Sequence, residues 1–279
     1  MNATPMNATI LGCGYVGTAV ARRWVAQGLH VTATTTRPER VEPLQAVADR
    51  VQVVTGSNLP GLVDLLDNQA VLLICVGAGR QANYEETYLN TAKTVVAALP
   101  QAPHLRQIIF TSTYSVYGNY AGATVTEADP PQPATDNART LVATEHTLLA
   151  AATPERQVCI LRLGGIYGPG RELAKIYSRA AGTTRPGSGS EASNWVHLDD
   201  IVGAIALAQA QSLSGIYNLV QDEIPTVAEL IDRVCRAHDL EPVQWDPTQP
   251  STRPYNVRVS NQKLKAAGYT FRHPRFEGI

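Results

Sequence analysis

Residues 8–17 read ATILGCGYVG, and everything else in the chain can be placed relative to them. ATILGC is a short β-branched and apolar run, the composition of a strand buried on both faces. Gly12, Gly14 and Gly17 then fall in GxGxxG spacing where an apolar stripe of helical period opens over 16–27. In that context the first glycine permits a tight turn, the second lets the backbone approach a pyrophosphate, and the third lets the helix pack closely on the strand. The first N–H groups of the helix, which have no intrahelical acceptor, then face the phosphates. The segment is therefore read as a dinucleotide-binding loop with Gly12, Gly14, Tyr15, Val16 and Gly17 against the ligand, a glycine turn without a ligand being the plain alternative.

Outward from that loop the chain alternates short apolar runs with amphipathic ones. HVTATT (30–35), RVQVV (50–54), AVLLICV (70–76), QIIFTS (107–112) and VCILRL (158–163) are five further strands. Segments such as 16–27 and 84–99 carry helical spacing and end at Gly28 or Pro100. This alternation predicts an α/β fold, a doubly wound Rossmann-type parallel sheet. After Gly164 the periodic pattern fades and Gly, Pro and Ser become frequent; a helix returns over 199–210, a strand over 216–219 and a helix over 226–237, before a polar tail beyond Pro242 that reads as loop. The expected division is a dinucleotide-binding domain over 6–163, completed by about 194–220, and a small C-terminal substrate lobe over 164–193 and 221–279.

Ligands of such sheets lie beyond the carboxyl ends of the strands, so residues just after each strand are the ones to inspect. The second strand ends in Thr34, Thr35, Thr36 and Arg37, with no carboxylate before Glu39. An acid there would accept from the ribose hydroxyls of NAD, whereas a guanidinium suits a 2′-phosphate. NADP is accordingly expected over NAD, with Thr36 and Arg37 at the ribose; Arg37 capping a solvent-facing turn is the alternative. Val76, Gly77 and Ala78, with Gly79, follow the fourth strand and allow close approach of the cofactor to the backbone.

Composition narrows the classes. Apolar residues at 44% and charged residues at 17% suit a folded enzyme, and a net charge of −1 with scattered basic residues gives no case for nucleic acid. No run reaches the 18 apolar residues of a membrane span, and the N-terminus has neither the basic start nor the apolar stretch of a leader, so a cytoplasmic protein is expected. Cys13, Cys75, Cys159 and Cys235 are far apart, without metal-ligand spacing, and read as small core residues in a reducing compartment. Asp199 and Asp200, adjacent at a helix start, read as cap and dipole partners, and no metal is expected.

Four later segments, in order, carry a resemblance. STYSVYG (112–118), LRLGGIYGPG (161–170), WVHLDD (195–200) and GIYNL (215–219) resemble the SSxxVYG, RxxxxYGPG, (I/V)HVDD and following-strand segments of the extended short-chain dehydrogenase/reductases, the NAD-dependent epimerase/dehydratase family. The resemblance covers nearly the whole chain. It implies a hydroxyl after the fifth strand that bonds the substrate oxygen, which falls on Thr113, and a Tyr-x-x-x-Lys pair in which the Lys lowers the phenol pKa. Family spacing before Glu145 puts that Lys at Leu141 and that Tyr at Asn137, and none of the four lysines, Lys93, Lys175, Lys263 and Lys265, has Tyr four residues before it. The pair is missing. With the short glycine loop and the ending SNxxL, GYxF and HPRFEGI within 258–279, the chain resembles the atypical branch of the family. A four-helix pairing of subunits, known from the family, is compatible with a homodimer.

Substitute chemistry must come from elsewhere. Tyr114, among the tyrosines after the fifth strand, is the candidate acid beside Thr113, while Tyr117 reads as packing. Arg139 lies between the vacated positions and is a candidate positive charge or a surface residue. Asn90 falls where the family has a helix-bending Asn. For a phosphate or carboxylate of the substrate the candidates are Arg171, Arg185 and Arg253. His197 is either a substrate contact or a satisfied structural histidine. Two functions follow: an NADP-dependent oxidoreductase or epimerase-like enzyme acting on a small or sugar-derived substrate, or a non-catalytic NAD(P)-binding sensor or assembly protein.

Overall fold

A computed structural model describes residues 6–79 and 83–279; residues 1–5, part of the stretch read for a leader, lie outside it. The first half of the chain alternates β1 (Asn7–Leu11), α1 (Tyr15–Ala26), β2 (His30–Thr35), α2 (Val41–Gln45), β3 (Arg50–Val53), α3 (Leu59–Leu66), β4 (Val71–Ile74), α4 (Thr91–Ala98) and β5 (Gln107–Thr113). It continues with β6 (Asn119–Val125), α5 (Asp136–Leu149), β7 (Gln157–Leu163), β8 (Gly165–Tyr167), α6 (Leu173–Tyr177), β9 (Thr184–Pro186) and β10 (Trp195–His197). The last part holds α7 (Leu198–Ala210), β11 (Gly215–Leu219), α8 (Val227–Ala237), β12 (Gln244–Asp246), β13 (Asn256–Val259) and α9 (Gln262–Ala266). All seven strands expected from sequence are present.

A seven-stranded sheet runs in the order β11-β7-β5-β4-β1-β2-β3, and β1 pairs in parallel with both β2 and β4, Ile10 lying opposite Ala33 on one side and Leu73 on the other. The winding reverses at β1, so the turns after β1 and β4 sit at the switch point where such sheets hold ligands. Burial follows sequence: β4 is buried throughout, with Leu72 and Leu73 at 0% exposure, each contributing roughly 1.5–3 kcal/mol, whereas β3 at the edge is exposed at both ends. In α1 the buried positions are Gly17, Val20, Ala21 and Trp24, a stripe at helical spacing. The helix closes with Gly28 N–H donating to Val25 O at 2.9 Å and Leu29 N–H to Trp24 O at 3.0 Å.

The segment expected as one helix over 84–99 is a π-helix over Glu85–Asn90 running into α4. Asn90 stands at that junction, its Nδ2 donating to Glu86 Oε2 at 2.8 Å. A π turn offsets a helix, so the bend expected at this Asn has a definite cause.

Two compact units are distinguished. One comprises the described part of Met1–Ser112 with Asp136–Leu161 and Val202–Ile216; the other comprises Thr113–Thr135, Arg162–Ile201 and Tyr217–Ile279. Within the second unit three short parallel pairs form, β8 with β10, β9 with β12 and β6 with β13. The last two put strands in the tail read as loop beyond Pro242. NVRV in β13 alternates half-buried and buried positions, too short a pattern to distinguish from loop, and its partner β6 is mostly exposed. α8 starts as its sequence demands, with a capping box between Thr226 and Glu229.

Gly118, the glycine of STYSVYG, ends the 3₁₀ turn Tyr114–Tyr117 at φ 72°, ψ −140°. A Cβ there would lie 1.8 Å from the carbonyl oxygen of Gln132. Gly118→Ala is therefore expected to destabilise the protein by about 2 kcal/mol or more, combining a Gly-only backbone region with a backbone clash. A denaturant or thermal unfolding comparison with wild type checks it, and an unchanged midpoint would refute it.

Candidate active site

The first unit builds the cofactor loop. Gly12 has φ 93°, and a Cβ on it would stand 2.8 Å from the Cα and N of Val76, so the turns after β1 and β4 touch. A Cβ on Gly17 would meet Gly12 O at 2.8 Å and Cys75 Sγ at 2.9 Å, whereas one on Gly14 or Gly77 would meet nothing within 4 Å. Gly12 and Gly17 are thus required by close packing, while Gly14 faces open space. Thr34 holds the turn in place, its Oγ1 accepting from Gly12 N–H at 3.0 Å and its carbonyl from Cys13 N–H at 2.8 Å. Gly14 offers α1 no side-chain cap, and the first turn, Tyr15, Val16 and Gly17 included, has no acid, so no carboxylate of the helix itself offsets its positive end.

Thr36 and Arg37 are exposed at the end of β2. Arg37 N–H donates to Thr35 Oγ1 at 3.1 Å, fixing the backbone, while its guanidinium lies 4.0 Å from Glu39 and is 62% exposed. That contact is too long and too wet to commit the charge. Val76 and Ala78 are half-buried and Gly77 exposed, with the Ala78 N–H donating to Tyr88 OH at 3.3 Å. These residues fit a bound dinucleotide: a cradle without side chains after β1 and β4, a helix start with no acid in its first turn, and an exposed cation at the end of β2.

At the vacated positions Asn137 is exposed on α5 and Leu141 is 4% exposed in the core, so neither holds a proton or a charge near a ligand. Glu145 is buried and accepts from Ser112 Oγ at 2.5 Å. Arg139 is half exposed and pairs with Asp136 one turn earlier on the same helix.

The second unit holds a cavity of about 580 Å³. Thr113, Tyr114 and Arg253 all line it, together with Arg185, Tyr177 and Trp245. Thr113 Oγ1 accepts from Ser115 N–H at 3.3 Å and so caps the 3₁₀ turn that aims Tyr114. Arg253 is delivered by the loop after β12, where Asp246 Oδ1 accepts from Thr248 N–H at 3.0 Å and turns the chain. Its Nη2 donates to Tyr114 OH at 2.8 Å, and its guanidinium carbon lies 4.9 Å from the Tyr255 ring centroid. Arg253 Nε is buried without an acceptor among the described residues, a donor that a ligand oxygen would satisfy. Burial pushes the Tyr114 phenol above its ordinary value and the nearby Tyr255 adds to this, with Arg253 opposing. The phenol is therefore protonated throughout the neutral range.

Arg171 and His197 do not line this cavity. Arg171 lies exposed in the turn that bridges to Gly168. His197 packs its ring edge-on to Tyr167, 5.1 Å between centroids, and its Nδ1 accepts from Asp199 N–H at 3.2 Å. Burial, with His273 beside it, pushes its pKa down. Tyr117 is fully buried, with its hydroxyl 2.9 Å from Asn218 Oδ1, a packing residue as expected. Sequence reasoning missed Tyr177 and Trp245 in the cavity wall and the Ser112–Glu145 bond, because each joins residues far apart in the chain and has no local spacing signal.

Comparison with known proteins agrees with this architecture. Residues 8–219 match the model of the NAD dependent epimerase/dehydratase family. Protein YeeZ of Escherichia coli (strain K12) is 35% identical over 243 residues, covering 85% of each chain. Among solved structures, UDP-glucose 4-epimerase of Thermus thermophilus in complex with NAD is similar with a TM-score of 0.77 and 23% identity, covering 96% of this chain and 94% of that one. UDP-glucose 4-epimerase of Thermotoga maritima with UDP-glucose gives a TM-score of 0.79 at 20% identity, with the same shares covered. Identities this low speak to the fold alone, but the family model and the YeeZ match go further: this chain belongs to the NAD dependent epimerase/dehydratase family.

Proposed function

We propose that the chain is an NADP-preferring oxidoreductase or epimerase-like enzyme acting on a small or sugar-derived molecule with a phosphate or carboxylate, in which Tyr114 and Arg253 take over the work of the missing Tyr-Lys pair. The observation that carries this reading is the 2.8 Å bond from Arg253 to Tyr114 within one cavity. A phenol there can donate a proton to a substrate oxygen, and a guanidinium beside it stabilises the phenolate left behind until solvent returns the proton. The buried Nε of Arg253 and the charge of Arg185 favour an anionic substrate group. Thr113 is the second hydroxyl at the cavity, where the family resemblance puts the group that bonds the substrate oxygen.

NADPH, when bound, supplies the hydride. The chain's own part is to hold it: Gly12, Gly14 and Gly17 clear the approach, the α1 N-terminus meets the pyrophosphate, and Arg37 meets the 2′-phosphate. The expected small C-terminal substrate lobe corresponds in this reading to the cavity-bearing part of the second unit. Four free cysteines suit a reducing, cytoplasmic setting. Among the described residues no helix is long and apolar enough to cross a membrane.

Calorimetric titration with NADPH and NADH is expected to show tighter NADPH binding. Arg37→Ala should weaken NADPH by about 10- to 100-fold, the worth of charge-assisted contacts, and leave NADH nearly unchanged. Equal or tighter NADH binding to wild type would overturn the preference.

Turnover is tested by NADPH consumption with a panel of carbonyl compounds and sugar nucleotides, UDP-glucose among them, since structural neighbours have been solved with it. Tyr114→Phe should lower kcat by about 10²-fold with cofactor binding intact, and Arg253→Ala should raise KM as well. Full activity in Tyr114→Phe would remove Tyr114 from the chemistry. Cofactor binding without turnover on any substrate of the panel would instead favour the non-catalytic sensor or assembly protein, which the core position of Leu141 also suits.

A further inference from the structure

Away from that cavity, three side chains of the second unit converge from separate stretches of chain. His197 ends β10, Asp199 stands in the first turn of α7, and His273 belongs to the C-terminal segment. Asp199 Oδ2 lies 3.7 Å from His197 Nδ1 and 3.4 Å from His273 Nε2. One ligand atom from each of the three residues lies within 4.8 Å of the others, and the two imidazole centroids are 3.8 Å apart. The scaffold beneath them is firm. Asp200, fully buried, accepts from the N–H groups of Arg272 at 2.7 Å and His273 at 2.9 Å and lies 2.9 Å from Tyr269 OH. Of the adjacent acids at this helix start, then, Asp200 is consumed in joining the C-terminal segment to α7, while Asp199 is half exposed and faces two histidines.

We propose that His197 Nδ1, Asp199 Oδ2 and His273 Nε2 bind one divalent transition-metal ion of the zinc class, with water in the remaining coordination position. Bonds of about 2.0–2.1 Å at tetrahedral angles place neighbouring ligand atoms roughly 3.3–3.4 Å apart, so the two carboxylate–imidazole edges are met within a few tenths of an ångström. Two imidazole nitrogens with one carboxylate oxygen select this class over magnesium or calcium, which prefer oxygen alone. A simple ion pair explains less, because one carboxylate needs one cationic histidine, and a second ring stacked at this distance would have to stay uncharged or repel it. The contact that metal binding displaces is weak: the Asp199 N–H to His197 Nδ1 bond is 3.2 Å long and belongs to the first turn of a helix, where N–H groups can turn to water. The side chains of His197, Asp199 and His273 are 12%, 51% and 26% exposed, so an ion can reach them. Bound there, it clamps the C-terminal segment to the start of α7 beside the Asp200 bonds and stabilises the fold by mass action.

The full chain, stripped with chelator, is titrated with Zn²⁺ by calorimetry and with Co²⁺ by visible absorption, with the unfolding midpoint followed alongside. One ion per chain, a raised midpoint and a tetrahedral Co²⁺ spectrum are expected. His273→Gln and Asp199→Asn should each lose more than the roughly tenfold in affinity that even outer-sphere partners cost. Both side chains are outside the core, and circular dichroism verifies that the variants fold. His30→Gln, which removes another histidine–carboxylate contact, Nδ1 to Asp49 at 3.6 Å, serves as the control and should bind as wild type does. Absence of one-to-one binding, or binding that survives both site variants or is lost in the control, would overturn the site.

Discussion

Between the turn after β1 and the backbone of Val76 there is no room for a single carbon atom, and that closeness organises the first unit. Because Gly12 carries no Cβ, the turns after β1 and β4 meet at the reversal of the sheet, where α1 leaves β1. The same economy of atoms recurs at Gly17, against Gly12 O and Cys75 Sγ. A protein with any side chain at these points would have to spread the turns or tilt the helix, and the surface that fits a dinucleotide would be gone. The rest of the loop is secondary to this fit, including the clasp of Thr34 on the amides of Gly12 and Cys13.

Much of this was legible in the sequence because the signals are local. A strand, three glycines at fixed spacing and an amphipathic run lie within twenty residues, and each has a physical meaning independent of distant chain. The stripe of α1 was legible for the same reason, whereas Asn90 was singled out only through the family resemblance. The cavity was legible only in part. Thr113 was reached by counting back from Gly118, Tyr114 as one of the tyrosines after the fifth strand and Arg253 by its chemistry, but Tyr177 and Trp245 arrive by tertiary packing that no spacing encodes. His273 lies in HPRFEGI, a motif informative about ancestry whose placement beside His197 depends on the bonds of Asp200.

The lost Tyr-Lys pair has a structural counterpart that clarifies its loss. Leu141 is packed into the core of its unit, so the site of the lysine has been absorbed into the fold rather than left as a polar gap. Glu145, one turn on, remains buried and bonded to Ser112, which holds α5 to β5 through a polar contact where a purely apolar one would avoid the desolvation cost. Tyr114, its phenol held by Arg253, is in turn positioned by a 3₁₀ turn that only a glycine at 118 can close.

The pairing of β6 with β13 bears on how the molecule is made. Residues 119–125 find their strand partner only at 256–259, and the second unit is assembled from three stretches of which the last reaches Ile279. Closing a loop of that length costs chain entropy before any contact offsets it, and it places this unit among slow, non-local structures. During synthesis the strands of the first unit that precede β6 emerge early and can begin to pair, while β6 must wait with an unpaired edge until residues 256–259 have been made. The cavity therefore depends on late-made chain: a polypeptide that stops short of β13 lacks the strand that follows Arg253, and cannot present a half-built site as a finished one.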